Sequence, residues 1–181
     1  MRYLLCLFAA GVAFSGEIGG VTLPDKMTVG DASLVLNGAG LRKKLFIKVY
    51  AGGLYLQAKS SDQNKVIKAD EPMAVRLHFI YDGVSSEKLT EAWNEGFKNA
   101  TGGKTAAIQA KIDTFNGMFS QTANKGDVYD VIYEPGKGTS VLVNGVSKGT
   151  VEGLEFKQAV FGIWLCDKPA DSGLKEGMLH Q

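Results

Sequence analysis

At 181 residues, 45% hydrophobic and 22% charged, the chain is long enough for one domain with a sizeable core. Its formal net charge of +1, with no basic stripe and no Lys/Arg cluster interleaved with aromatics, excludes a dedicated nucleic-acid binder. Low-complexity tracts and long runs of like charge are absent, so no segment reads as a disordered tail.

The first segment carries an address. Arg2 precedes an apolar run over residues 3–14, and the small residues Ala13, Ser15 and Gly16 follow. A positive start, a short apolar stretch and a small-residue cleavage site form a secretory signal peptide. The run falls short of the roughly 20 residues needed to span a bilayer, so no integral membrane segment is expected once the signal is removed. The expected domains are a signal peptide at residues 1–15 and a single domain at 16–181, exported to a periplasm. Cys6 leaves with the signal. Cys166 then remains alone, which rules out an internal disulfide, and its apolar neighbours Ile163, Trp164 and Leu165 predict a buried structural thiol.

The mature chain begins with strands. Residues 27–37 read as one, with Val29, Leu34 and Leu36 as apolar members. Arg42-Lys43-Lys44 reads as a solvated turn, and residues 44–58 as a β-branched and aromatic run interrupted by Gly52-Gly53, a sign of a bulge or close backbone approach. Over residues 73–81, Met73, Val75, Leu77, Phe79 and Tyr81 alternate with Arg76 and His78. The period then becomes helical. Leu89, Ala92, Trp93, Gly96 and Phe97 share one stripe behind a Ser85 or Ser86 cap, and Ile108, Ile112, Phe115 and Phe119 share a second. Strands return at 127–134, 139–143 and 146–151, joined by Glu134-Pro135-Gly136 (a type II turn signal) and Asn144-Gly145 (type I′). A helix over 153–165 is apolar nearly all round and predicts burial, and a short polar helix near 171–179 closes the chain. Strands, then a helical pair, then a meander and a buried helix predict an α+β fold with a large, mostly antiparallel sheet and helices on one face.

Several motifs fail. Gly102-Gly103-Lys104-Thr105 resembles the end of a P-loop, but position 98 is Lys where that pattern requires Gly, and the segment follows a helix. His78 and His180 are the only histidines; no zinc spacing and no Gly-x-Ser-x-Gly elbow is present. No cofactor is expected. Asn99-Ala100-Thr101 fits a glycosylation sequon, which matters only in a eukaryotic secretory pathway.

Three segments carry a family resemblance: Asn37-Gly38-Ala39-Gly40-Leu41-Arg42, the run Phe46-Ile47-Lys48-Val49-Tyr50-Ala51-Gly52-Gly53-Leu54-Tyr55-Leu56, and Phe161-Gly162-Ile163-Trp164-Leu165 through Pro169 to Leu174-Lys175. Together with the Val21-Thr22-Leu23-Pro24 opening, they resemble exported bacterial members of the chalcone isomerase-like family. The resemblance implies an open-faced β-sandwich of chalcone isomerase type, its large sheet packed against helices with a ligand cleft between. In the catalytic members the arginine of Gly-Ala-Gly-x-Arg holds a phenolate, which matches Arg42. Their other polar groups would fall at Tyr50, Ser85, Ala92 and Ile163, so only the arginine is kept in kind. Without oriented donors at the developing charge, cyclisation loses its preorganised site.

Non-catalytic relatives of this fold bind fatty acids, with an arginine and a tyrosine clasping the carboxylate; Arg42 and Tyr50 resemble that pair. A guanidinium fork and a phenol suit a carboxylate chemically. The leading expectation is therefore a binder of a small apolar acid such as a fatty acid. An isomerase or lyase acting on a phenolic or enone substrate is the alternative, with Arg42 as anion stabiliser and Tyr50 or His78 as proton partner. A ligand-free scaffold is the third, favoured if Trp93, Phe97, Phe115, Phe119 and Trp164 fill the cleft. One feature stands against the clasp. If Lys43-Lys44 forms the turn, Tyr50 lies roughly 13–17 Å along the strand from Arg42's partner, at ~3.3 Å per residue, and a bulge near Gly40 or Gly52-Gly53 is required.

Overall fold

The alternating stretches pair into one sheet. In the computed structural model, which describes residues 17–180, a short hairpin of β1 (Glu17–Ile18) and β2 (Val21–Thr22) precedes seven further strands. These are β3 (Lys26–Val29), β4 (Ala32–Lys44), β5 (Ile47–Leu56), β6 (Met73–Phe79), β7 (Val128–Glu134), β8 (Gly138–Val143) and β9 (Val146–Val151). They lie side by side in chain order, every neighbour antiparallel. Helices α1 (Gln63–Lys68), α2 (Ser86–Ala100) and α3 (Gln109–Gly117) interrupt the meander; α4 (Leu154–Leu165) and α5 (Ser172–Leu179) end it. The signal-peptide expectation at residues 1–15 lies outside the described residues.

Strand β6 shows how the sheet divides its faces. Met73, Val75, Leu77 and Phe79 are buried in the main core with the helices, while Arg76 turns to the other side and forks onto Asp130, its cross-strand partner on β7, at 2.7 and 2.9 Å. That other face is covered in part by two small clusters around Leu34 and Tyr55, and around Val21 and Leu23, which leaves the sandwich open on one side. The turn chemistry follows the sequence: Gly136 has φ 78° with Lys137 N–H bonded to the Glu134 carbonyl at 3.0 Å, and Asn144 and Gly145 have φ 51° and 80°.

Four expectations are corrected. The stretch 27–37 is two strands, because Gly30 (φ 56°) and Asp31 make a tight turn between Val29 and Ala32. Helix α1 was not anticipated; its signal is Asp62, whose carboxylate caps the Asn64 and Lys65 amides. Cys166 is half-buried at the C-terminal end of α4 rather than enclosed. Finally, α5 is not a polar appendage, since Leu174, Met178 and Leu179 are wholly buried. It lies backbone-to-backbone on β4. A β-carbon at Gly40 would sit 3.0 Å from Leu174 Cα, and one at Gly38 would overlap the Gly177 carbonyl. Asn37, fully buried, donates to the Met178 carbonyl at 2.7 Å and so fastens the helix.

Helix α4 is the centre of the core. Phe156, Phe161, Ile163, Trp164 and Leu165 are all at 0% exposure, as the all-round apolar pattern predicts. One charged residue shares that helix. Lys157 is equally buried, and its ammonium donates to the carbonyls of Val66, Ile67 and Ala69 at 2.8, 2.9 and 2.7 Å. It thus satisfies the carbonyl end of α1. Among the described residues, no helix is long and apolar enough to cross a membrane, and no group of three or more His, Cys, Asp or Glu could hold a metal ion.

Candidate functional site

Arg42 and Tyr50 are direct cross-strand partners on β4 and β5. The turn lies at Leu45-Phe46 and not at Lys43-Lys44, and the register shifts between Arg42 and Lys43: Lys43 faces Lys48, Arg42 faces Tyr50, and Val49 is the extra residue. The bulge required by the sequence is present, but next to Arg42 itself. Directly opposed side chains on one face have β-carbons roughly 4.5–5.5 Å apart, so the separation of 13–17 Å expected from a Lys43-Lys44 turn does not arise. The Gly52-Gly53 pair is instead a place of close approach, where a β-carbon on Gly52 would meet Leu174 and Met178 at 3.0 Å.

Tyr50 sits at 4% exposure, edge-on to Phe79 (5.6 Å between centroids), and its hydroxyl accepts a hydrogen bond from Trp164 Nε1 at 3.0 Å. Burial pushes its pKa from 10 to about 12; the Trp164 bond and the Arg42 charge pull the other way, and Asp171 adds to the rise. At neutral pH it is therefore a neutral phenol with its own proton to donate. Between pH 10 and 12 the unfolded chain releases this proton while the folded chain keeps it. Stability should accordingly fall as pH climbs through that window. Burial raises Tyr55, Tyr129 and Tyr133 as well, so alkaline titration followed by tyrosinate absorbance should show one late-ionising tyrosine fewer in Tyr50→Phe than in the wild type. Complete ionisation near pH 10 in the folded protein would place Tyr50 in solvent.

Arg42 is three-quarters buried and already faces a carboxylate. Its Nη1 lies 3.7 Å from Asp171 Oδ2 and donates closely to the Lys43 carbonyl. Asp171 is the cap of α5: Oδ1 accepts from Leu174 N–H at 2.9 Å and Oδ2 from Lys43 N–H at 3.0 Å. One carboxylate thus joins β4 to the start of α5 on the face that Tyr50 occupies. Sequence reading missed Asp171, although an Asp three residues before a buried Leu is a cap signal; its pairing with Arg42 spans most of the chain.

His78 does not join this group. It pairs with Ala51 while Tyr50 pairs with Phe79, and alternation sends it to the opposite face. Burial, and secondarily Arg76, lower its pKa. The other positions that the resemblance aligns with polar groups are inert: Ser85 caps α2, Ala92 is exposed, and Ile163 is buried against Gly96.

The space between sheet and helices is filled. Trp93 packs on Phe115, Phe119 and Trp164, and Phe97 on Phe115 and Phe156, at centroid separations of 5.3–6.4 Å. Within this cluster Trp93 Nε1 is buried without a hydrogen-bond partner. Two surface grooves, of about 350 and 450 Å³, lie elsewhere and include neither Arg42 nor Tyr50.

The family model described as chalcone isomerase-like matches residues 15–180. Fatty-acid-binding protein 1 of Arabidopsis thaliana is 22% identical over 183 residues, covering 84% of this chain. The chain spans 64% of that relative's length. A crystal structure of the Arabidopsis thaliana fatty-acid-binding protein superposes with a TM-score of 0.71 at 21% identity, covering 88% of this chain and 92% of the other. At that identity the likeness is one of fold, and it is to the same seven-stranded sheet with its helices. Matched along nearly its whole length, the chain belongs to the chalcone isomerase-like family.

Proposed function

We propose that the protein binds a fatty acid or a similar apolar carboxylate without chemically altering it, with Arg42 and Tyr50 holding the head group. The observation that carries this reading is the cross-strand opposition of Arg42 and Tyr50, with the Asp171 carboxylate lying against the guanidinium. A carboxylate fits there because one is there. An acid ligand takes over that position when α5 gives way, and its tail occupies the apolar surface over Gly38, Gly40 and Gly52 that Leu174 and Met178 now cover. The helix must then pay its docking energy back, which lowers apparent affinity. A phenol with a pKa near 12 is a poor proton shuttle at neutral pH, and His78 is on the wrong face, which supports the non-catalytic reading.

The filled interior favours a second reading, a scaffold with no ligand. Export to a periplasm is part of the proposal and rests on Arg2, the apolar run over 3–14 and the small residues after it. One experiment addresses all three. A native mass spectrum of the protein from its own host should show a polypeptide lacking about 15 N-terminal residues and carrying a co-purified apolar acid. Retention of residues 1–15 defeats the export proposal. A clean apo mass that stays unchanged when long-chain fatty acids are added makes the scaffold reading the better one.

A further inference from the structure

The hairpin that carries the candidate site ends in an unusual tip. Leu45 is 87% exposed, Phe46 100% and Ile47 44%. Single exposed apolar residues need no explanation, but three in a row at one turn do. The turn stands clear of the sheet. Strand β6 stops at Phe79, opposite Tyr50, so beyond the Arg42–Tyr50 pair only Lys43–Lys48 and Lys44–Ile47 continue the ladder. Leu45 adopts φ 57°, a left-handed conformation that a leucine takes only at a cost, which helps to turn the chain here.

Two further exposed apolar residues share this end of the sheet. Register carries it across from Tyr50 to Phe79, with Tyr81 (44% exposed) just beyond; His78 then faces Val128, Tyr129 faces Val143, and Val143 faces Val146 (60% exposed). All the large apolar side chains exposed among the described residues are therefore at one end of the molecule. Lys43, Lys44 and Lys48 surround the tip, all exposed, none in an ion pair among the described residues. Residues 41–50 contain no acidic side chain, although the chain as a whole is nearly neutral.

We infer that this hairpin tip docks on an anionic lipid bilayer, with Leu45, Phe46 and Ile47 entering the headgroup–acyl boundary and the three lysines meeting lipid phosphates. Apolar residues that enter the boundary while lysines remain in the headgroup layer are how interfacial segments bind. A protein partner or a second copy fits less well. Three side chains on a narrow turn provide far less than the roughly 1,000 Å² of a stable protein interface, whereas a bilayer closes around a tip of any shape. The inference does not rest on the fatty-acid reading. If both hold, the Arg42–Tyr50 pair lies at the base of the inserted hairpin, where an acid can leave the bilayer without crossing water.

The test is co-sedimentation of residues 16–181 with vesicles free of fatty acid, so that a failure of acid binding leaves the result untouched. Phosphatidylcholine vesicles with roughly 30% phosphatidylglycerol are compared with pure phosphatidylcholine. The wild type should sediment with the anionic vesicles, less so at high salt, and poorly with the neutral ones. Phe46→Ser should reduce the partition coefficient about tenfold or more, and Lys44→Glu with Lys48→Glu by a similar factor. These side chains are exposed, so unfolding midpoints should stay at the wild-type value. Absence of wild-type binding to anionic vesicles, or binding that Phe46→Ser leaves intact, overturns the inference. So does a wild-type dimer in sedimentation velocity that Phe46→Ser dissolves, since the tip would then be a contact between copies.

Discussion

Trp164→Ala should destabilise the fold by roughly 3–5 kcal/mol, the range for removing a large aromatic from a closed core. Trp164 is at 0% exposure, packs against Trp93 at 5.8 Å between centroids, and lies on the helix around which the sheet and α2 assemble. Its loss leaves a cavity that neighbouring rings cannot readily fill, because each is already held edge-on by another. It also removes the hydrogen bond to the Tyr50 hydroxyl. Trp164→Phe separates the two effects: most of the ring volume stays, the donor goes, and about 1–2 kcal/mol should be lost. Denaturant titration reads both values. A loss under about 1 kcal/mol for Trp164→Ala would mean that α4 is not the centre of the core.

Lys157→Met should cost about 2–4 kcal/mol. The ammonium makes three short bonds to carbonyls at the end of α1, and hydrogen bonds to a charged group contribute roughly 1.5–3 kcal/mol each. Against that stands burial, which pulls the Lys157 pKa from 10.5 to about 8 and which a methionine would relieve. The bonds win, since Met leaves the Val66 carbonyl buried and those of Ile67 and Ala69 half-buried, all without this donor. Tyr133 and Phe161, whose rings lie 5.6 and 5.3 Å from the ammonium, add a smaller attraction that Met also forfeits. Hydrogen exchange should show the loss first in α1. If stability stays within about 0.5 kcal/mol and α1 keeps its protection, this anchor is not what holds the helix.

Where periodicity and turn residues spoke for themselves, the fold was legible. The alternation of β6 up to Phe79, the Leu89, Trp93, Gly96 and Phe97 stripe of α2, the Pro135-Gly136 and Asn144-Gly145 turns and the apolar α4 stand where the residues indicate. Ala92 and Tyr81, in contrast, are exposed, and Ile108 and Phe119 flank α3 instead of lying on it. What could not be read depends on partners distant in sequence. Leu45-Phe46-Ile47 resembles strand interior, yet Tyr50 is pinned between Phe79 and Trp164, and the bulge at Val49 pushes those apolar residues out into the turn. α5 has a polar composition but buries because Gly38, Gly40 and Gly177 let two backbones touch. Lys157 could have been flagged, since a lone charge in an all-apolar helix needs a partner somewhere. Of the candidate site, Arg42 and Tyr50 came from the family resemblance; neither periodicity nor composition identifies them. Asp171 and the Trp164 bond needed the fold.

Calorimetric titration of wild-type protein and Arg42→Ala with a long-chain fatty acid tests most directly whether Arg42 grips the head of an apolar acid. Loss of a charge-assisted hydrogen bond of about 1.5–3 kcal/mol weakens binding by roughly ten- to over a hundredfold, while Tyr50→Phe, which removes a neutral donor, should cost less. Wild-type protein that binds, with Arg42→Ala weaker by such a factor and still folded, is the predicted result. Equal affinity in wild type and Arg42→Ala would contradict it.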